Sequence, residues 1–271
     1  MNNIKLSIVL PTLGNRLIEL TRLFESLELQ SYSNFEVILI NQGEFQKVEE
    51  ILSEFSFDVK HIKMEGKGLS KARNTGLQYV KGSIVTFSDD DCWYPPNAFL
   101  NAVEKFLEDN LHVACFQIYD PIKKSYLRNY RKKLNLTENS KQILGKSSIE
   151  IFIKSDVLKE TNVCFDENFG LGAKFPSGEE NIFLQDILNE GYKISYYPEV
   201  IVFHEKKSQS TRLSAINFIG KGPMFCRMYN FPVAMLLTVL FYVKKYSLLE
   251  KKKGLLCKSL QETYLYSKNN K

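Results

Sequence analysis

The chain is poor in the residues that build thiolate and disulfide frameworks. Its five cysteines (Cys92, Cys115, Cys164, Cys226 and Cys257) form no C-x-x-C pair, and its three histidines join none of them at zinc-ligand spacing. That argues against a zinc-stapled fold and predicts reduced cytosolic thiols. The sequence opens Met-Asn-Asn-Ile-Lys and enters an apolar run that ends at Pro11, too short and wrongly flanked for a signal peptide, so no export is expected. The apolar stretch over 231–243 is thirteen residues long, short of the roughly 20 that a spanning helix needs. With 44% hydrophobic and 25% charged residues in 271, nothing suggests disorder, and one main domain with an appendage is expected.

Charge is unevenly spread. Residues 221–271 hold ten Lys/Arg against Glu250 and Glu262, a balance of +8, and the whole chain is +5, which leaves −3 for residues 1–220. A basic tail on a mildly acidic body suits nucleic acid or an anionic membrane. The leucines mixed with cations in 249–260, and Lys244 and Lys245 directly after the apolar stretch, favour helices lying on a membrane surface over nucleic acid. Packing on the core or on a second copy of the chain is the alternative use of the same helices. The expected organisation is therefore a domain over 1–220 and a basic amphipathic helical tail over 221–271.

Along the body, the pattern alternates. Residues 4–10 read as a buried strand stopped by Pro11-Thr12-Leu13-Gly14, and Leu17, Leu20, Leu23, Phe24 and Leu27 share one helical face, with Asn15 as its expected cap. Strands are expected over 35–40, 59–62 and 83–87, and helices over 48–55, 69–80 and 98–107. This order predicts an α/β fold with a largely parallel sheet between helices. The carboxyl ends of such strands face the ligand crevice, so Pro11-Thr12, Asn41-Gln42-Gly43 and Asp89-Asp90-Asp91 should converge there. Residues 119–145 are polar, basic and weakly periodic, and are expected to form irregular rim loops.

Three features carry possible chemistry. Three consecutive carboxylates at a strand end repel unless a cation compensates, and hard oxygen ligands on one short loop suit Mg2+ or Mn2+ bridging a diphosphate; a solvated acidic turn is the plainer reading. The run 66–76, Gly-Lys-Gly-Leu-Ser-Lys-Ala-Arg-Asn-Thr-Gly, opens a helix with small residues and cations, so its amides with Lys67 or Arg73 could meet a pyrophosphate, or it is an ordinary basic helix start. Glu179 and Glu180 follow Gly178 at the head of another apolar-faced helix, where a carboxylate either complements the dipole or takes a proton from an attacking hydroxyl. His204 ends a strand-like run over 199–203, while His61 and His112 read as structural.

In their order, Ser-Ile-Val-Leu-Pro-Thr, Phe-Glu-Val-Ile-Leu-Ile, Gly-Leu-Ser-Lys-Ala-Arg-Asn-Thr-Gly-Leu, Asp-Asp-Asp, Gly-Glu-Glu and Val-Ile-Val-Phe-His resemble family 2 of the glycosyltransferases across about residues 4–205. The resemblance implies a GT-A fold and an inverting transfer, without covalent intermediate, from a nucleoside-diphosphate sugar, as in bacterial surface polysaccharide synthesis. It implies that Pro11, Thr12, Arg16, Asn41, Gln42 and Gly43 hold the nucleotide, that Lys67 and Arg73 lie near the diphosphate, and that Asp89 and Asp90 contact the donor. Asp89 and Asp91, the outer members of a D-x-D motif, and His204 would serve a Mn2+ or Mg2+ ion; Glu180 would be the general base and Glu179 a sugar contact.

Two departures from the family pattern stand out. Asn41 replaces a frequent acidic residue, leaving UDP and dTDP donors both open, and Glu180 replaces the usual aspartate, which shifts the carboxylate by about an ångström. A glycan or lipid-linked acceptor, no nucleic acid, and a cytoplasmic location on the inner face of the cell membrane complete the expectation, with a homo-oligomer through the tail as a further possibility. A sugar nucleotidyltransferase would carry a G-x-G-T-R-type loop where Pro11-Thr12-Leu13-Gly14-Asn15-Arg16 stands. A degenerate, non-catalytic sugar-nucleotide binder is the other alternative.

Overall fold

The computed structural model describes residues 4–206, 214–249 and 253–270. Of the basic tail segment 249–260, Glu250, Lys251 and Lys252 lie outside the described residues. The chain divides into two compact units, the first made of residues 4–67, Lys71–Cys164 and Ile187–Lys206. The second takes Gly68–Ser70, Phe165–Asp186 and the described residues from 214 onward, and so reaches well before residue 220.

The first unit is built on a sheet that has nine strands among the described residues. Strands β1 (Leu6–Thr12), β2 (Phe35–Asn41), β3 (Val59–Lys63) and β4 (Ile84–Phe87) are parallel neighbours in the order β3-β2-β1-β4. Helices α1 (Leu17–Glu28), α2 (Phe45–Leu52), α3 (Leu69–Leu77) and α4 (Ala98–Glu108) alternate with them. Every residue of β1 and β2 is buried, the pattern of strands covered on both faces. Leu6, Ile8 and Leu10 join Leu20, Leu23 and Phe24 of α1 and Phe99 and Val103 of α4 in one core cluster. Val9, on the opposite face, meets α3 at Gly76, where a Cβ would stand 2.5 Å from Val9 Cγ1, so α3 rests on the sheet only because that position has no side chain.

The rest of the sheet departs from the parallel expectation. β8 (Ile151–Lys154) runs antiparallel to both β4 and β6 (Val113–Asp120), β9 (Ile194–His204) runs parallel to β6, and β5 (Cys92–Trp93) pairs antiparallel with β9. Residues 119–145, expected as loops, supply the end of β6, the two-residue strand β7 (Ser125–Tyr126) and the short helix α5 (Ser140–Ile143), capped by Asn139. Helix α6 (Ser155–Thr161) follows β8. Asn15 does not cap α1: the cap position is Arg16, whose side chain makes no capping bond.

A buried carboxylate ties β1 to β2. Glu36, 4% exposed, accepts hydrogen bonds from Ser7 Oγ (2.6 Å) and the Lys81 amide (2.9 Å), and Lys5 Nζ lies 3.2 Å away. Burial pushes this carboxyl up, but the Ser7, Lys81 and Lys5 interactions outweigh it and hold it below the ordinary 4.5. A depressed folded value means stability that is present above 4.5 and is lost as pH falls through the folded value. Glu36→Gln is therefore expected to cost about 1–3 kcal/mol at pH 7, with the gap to the parent closing below about pH 4. Urea titrations at pH 7 and pH 3.5 measure both, and an equal gap at the two pH values would refute the assignment.

In the second unit, α7 (Glu179–Asn189) begins after Gly178, and α8 (Ala215–Ile219), α9 (Lys221–Met228), α10 (Phe231–Lys245) and α11 (Leu255–Asn269) follow. Arg227 clamps Asp186 through two parallel bonds (3.0 and 2.7 Å) and reaches Asp166 at 3.1 Å. Phe165 stacks on Phe183 with ring centroids 4.4 Å apart, and Tyr266 of α11 meets Phe169 and Phe175 edge-on. Helix α10 leaves Leu236, Leu240 and Val243 more than half exposed. The sequence count stops at residue 243, but the helix and its 3-10 extension run to Leu248, and Phe231–Leu248 is long and apolar enough to cross a membrane by length and composition.

Candidate active site

Parallel register places the ends of β1, β2 and β4 at one edge of the sheet, since Thr12 pairs with Asn41 and Val9 with Phe87. The loops that leave these strands are joined directly: the Gln42 amide donates to the Thr12 carbonyl (2.8 Å) and the Gly14 amide to Thr12 Oγ1 (2.9 Å). Gly14 adopts φ +68°, and a Cβ there would lie 2.6 Å from the Gly43 carbonyl oxygen, so only glycine allows this approach. Pro11, Thr12, Asn41 and Gln42 are buried, and Gly43 is half-buried. The Asn41 side chain is fully enclosed, accepting from the Gly43 amide (3.2 Å) while its Nδ2 stands 3.2 Å from His61 Nε2. Burial holds the His61 imidazole below its ordinary value, with Glu49 opposing, so the neutral ring is available to accept from Asn41.

The acidic triplet is distributed over four partners. Asp89 pairs with Arg73 (2.9 Å), whose guanidinium also donates to Ser148 Oγ (2.6 Å) and is 1% exposed. The enclosed Arg73 guanidinium thus holds Asp89 in place. Asp90 accepts from Thr12 Oγ1 (2.8 Å) and lies 3.3 Å from Arg16. Its carboxyl is raised by burial, a shift that the Thr12 bond and Arg16 oppose and the neighbouring aspartates reinforce. Asp91 meets Arg16 Nη1 at 2.6 Å and His204 Nε2 at 3.2 Å. His204 reaches it because β5 pairs Cys92 directly with His204.

Among the described residues no three His, Cys, Asp or Glu side chains are grouped as a ready-made metal cage. What is assembled is a carboxylate-imidazole pair beside a carboxylate, with the Arg16 guanidinium in the position of a compensating cation. Two protein ligands suit Mg2+ or Mn2+, ions that keep waters and take substrate phosphate oxygens. Lys67 is exposed in the loop before α3.

Sequence reasoning missed Arg22, which lies over Trp93 at 3.7 Å, reaches the Asp91 carbonyl at 3.3 Å and pairs with Glu205. Nothing in the spacing of α1 marks it, because its partners lie 69 and more residues away.

In the second unit, Gly178 takes φ +99°, and a Cβ on it would strike Met224 Sδ at 2.4 Å, so α9 packs against the start of α7. Glu179 is buried and Glu180 half-buried. Lys221 Nζ lies 3.6 Å from Met224 Sδ; burial lowers its value, and the nearby Glu180 and then Glu179 oppose that shift. This neighbour comes from the tail and was not foreseen.

A profile of the family described as "Glycosyl transferase family 2" matches residues 7–162. The chain belongs to glycosyl transferase family 2. Glycosyltransferase GlyA of Streptococcus pneumoniae is 34% identical over 103 residues, covering 37% of this chain and 15% of GlyA. The minor teichoic acid biosynthesis protein GgaB of Bacillus subtilis is 28% identical over 183 residues, covering 63% of this chain and 20% of GgaB. This family 2 chain thus spans one fifth or less of the length of either relative. A crystal structure of S. aureus TarS 1–349 in complex with UDP-GlcNAc superposes with a TM-score of 0.72 at 18% identity, covering 97% of this chain and 82% of that one. The superposition gives the GT-A fold, with the α/β sheet and the C-terminal helices both present.

Proposed function

We propose that this family 2 protein transfers a sugar, with inversion, from a UDP- or dTDP-sugar to a hydroxyl of a glycan or lipid-linked acceptor. The observation that carries the reading is the meeting of Thr12, Arg16, Asp90, Asp91 and His204 at the carboxyl edge of the parallel strands. The UDP-GlcNAc held by S. aureus TarS supports a uridine donor, and the name of the B. subtilis relative supports a place in surface polysaccharide synthesis.

The roles divide by chemistry. Pro11, Thr12 and the loop Asn41-Gln42-Gly43 shape the nucleotide pocket, with His61 fixing the Asn41 amide. Asp91 and His204 would hold a divalent cation, which when bound neutralises charge on the departing diphosphate. Arg73 keeps Asp89 oriented toward the donor, and Arg16 is released from Asp91 to face the phosphates. Glu180 accepts the proton of the acceptor hydroxyl as its oxygen bonds the anomeric carbon and the bond from that carbon to the diphosphate breaks. Glu179 contacts sugar hydroxyls. The exposed leucines of α10 and the lysines after them lie on an anionic membrane surface at the cytoplasmic face.

A thermal-unfolding panel of UDP, dTDP, GDP and ADP, each with and without manganese, tests the donor assignment. A pyrimidine diphosphate with manganese at about 100 times its Kd should stabilise the fold by about 2.7 kcal/mol. No shift with any nucleotide, or equal shifts with and without metal, would refute it.

A further inference from the structure

Away from the acidic triplet, the first unit holds a cavity of about 760 Å³ whose wall carries Arg128, Arg131, Lys132 and Lys206 together with Tyr126 and Tyr130. Its volume falls within the range of small-ligand pockets. Behind it lie two carboxylates whose side chains have no solvent exposure, Glu138 and Glu150. Arg131 pairs with Glu138, and Arg128 with Glu150, so both guanidiniums are held from behind while their side chains stay 42% and 25% exposed.

Tyr130 is fixed as well: its hydroxyl donates to Glu150 (3.2 Å), accepts from the Ile118 amide (3.0 Å), and its ring stacks on Tyr196. Lys146 sits 3.6 Å from Glu138, behind the same wall. Asp120, the other buried carboxylate beside Lys206, is satisfied by the backbone amides of Ile122, Lys123 and Lys206. Lys132 and Lys206 have no carboxylate at ion-pair distance among the described residues, so the cavity keeps an excess of positive charge after its internal pairs are matched. Tyr126 is 47% exposed and also lines an adjoining cavity of about 440 Å³ with Tyr119 and Phe203.

Pre-set guanidiniums and ammonium groups recognise phosphate oxygens, and an exposed phenol ring offers the flat apolar face on which the C–H side of a sugar ring stacks. We propose that this cavity binds a phosphate-bearing sugar unit of the acceptor, so that the acceptor is an anionic glycan. The acceptor part of this inference rests on the transferase reading above; the binding site itself does not.

Calorimetric titrations of the full chain, with the donor site filled by UDP and manganese, use glucose 6-phosphate, glucose and inorganic phosphate as probes. Glucose 6-phosphate should bind more tightly than either fragment. The double charge reversal Lys132→Glu/Lys206→Glu should weaken it at least tenfold while leaving the UDP shift and the melting temperature in place. Tyr126→Ala should weaken glucose 6-phosphate several-fold and leave inorganic phosphate unchanged. Arg131 is left intact, because its removal would leave the buried Glu138 charge balanced by Lys146 alone, at 3.6 Å. Unchanged glucose 6-phosphate binding in the charge-reversed variant, with the UDP shift retained, overturns this proposal alone. Loss of every nucleotide shift with glucose 6-phosphate still bound by the parent overturns the transferase reading alone.

Discussion

Glu180→Gln is expected to lower the rate of sugar transfer about 10²- to 10⁴-fold, the span that general base catalysis supplies, while the manganese-dependent UDP shift stays as in the parent. Glutamine keeps the length and shape of the side chain at the head of α7 and removes only its ability to take a proton. Glu180 is half-buried, and the amide fills the same space, so the position avoids the collapse that a smaller residue would invite. Glu179→Gln should cost less, because a sugar contact is replaced by another hydrogen-bonding group. Initial rates with a UDP-sugar and a hydroxyl acceptor measure both. A Glu180→Gln rate within threefold of the parent would show that the proton goes elsewhere.

The second large effect is expected at Asp91. Asp91→Asn should abolish the manganese-dependent part of the UDP shift, and should reduce transfer by at least a hundredfold. The reason is local: one carboxylate faces both the His204 imidazole and the Arg16 guanidinium, so its neutral amide removes the charge on which cation and arginine depend. Asp90→Asn serves as the comparison, since Asp90 is engaged with Thr12 and only loosely with Arg16. Equal shifts in the Asp91→Asn protein with and without metal confirm the assignment, whereas a full metal-dependent shift would remove Asp91 from the ion.

Most of the parallel half of the sheet was readable because β1, β2 and β4 are largely apolar, buried runs in alternation with helices that carry a three-to-four-residue stripe. β1, β2 and β4 all lie within a few residues of their expected bounds. The second half was not. β6 runs Val-Ala-Cys-Phe-Gln-Ile-Tyr-Asp with Gln117 buried against Tyr196, and β8 is four residues long, so neither presents a pattern that separates it from a short buried helix. Arg73 and Asn41 show the same limit at the level of the site. Their identity suggested ligand contacts, while their protein partners, Asp89 and Ser148 for Arg73 and Gly43 and His61 for Asn41, are visible only in the fold.

The local order of apolar runs, glycines and acidic residues determined the α/β class, the family and the loops proposed to bear the chemistry, because strand ends and turn residues are encoded within a few positions of one another. Which groups meet in those loops was decided only by tertiary structure. The antiparallel pairing of β5 with β9 brings His204 to Asp91 across more than a hundred residues, and the packing of α9 on Gly178 brings Lys221 to the acidic pair. Charges and hydrogen bonds act through space at a few ångströms, a distance that sequence separation does not report.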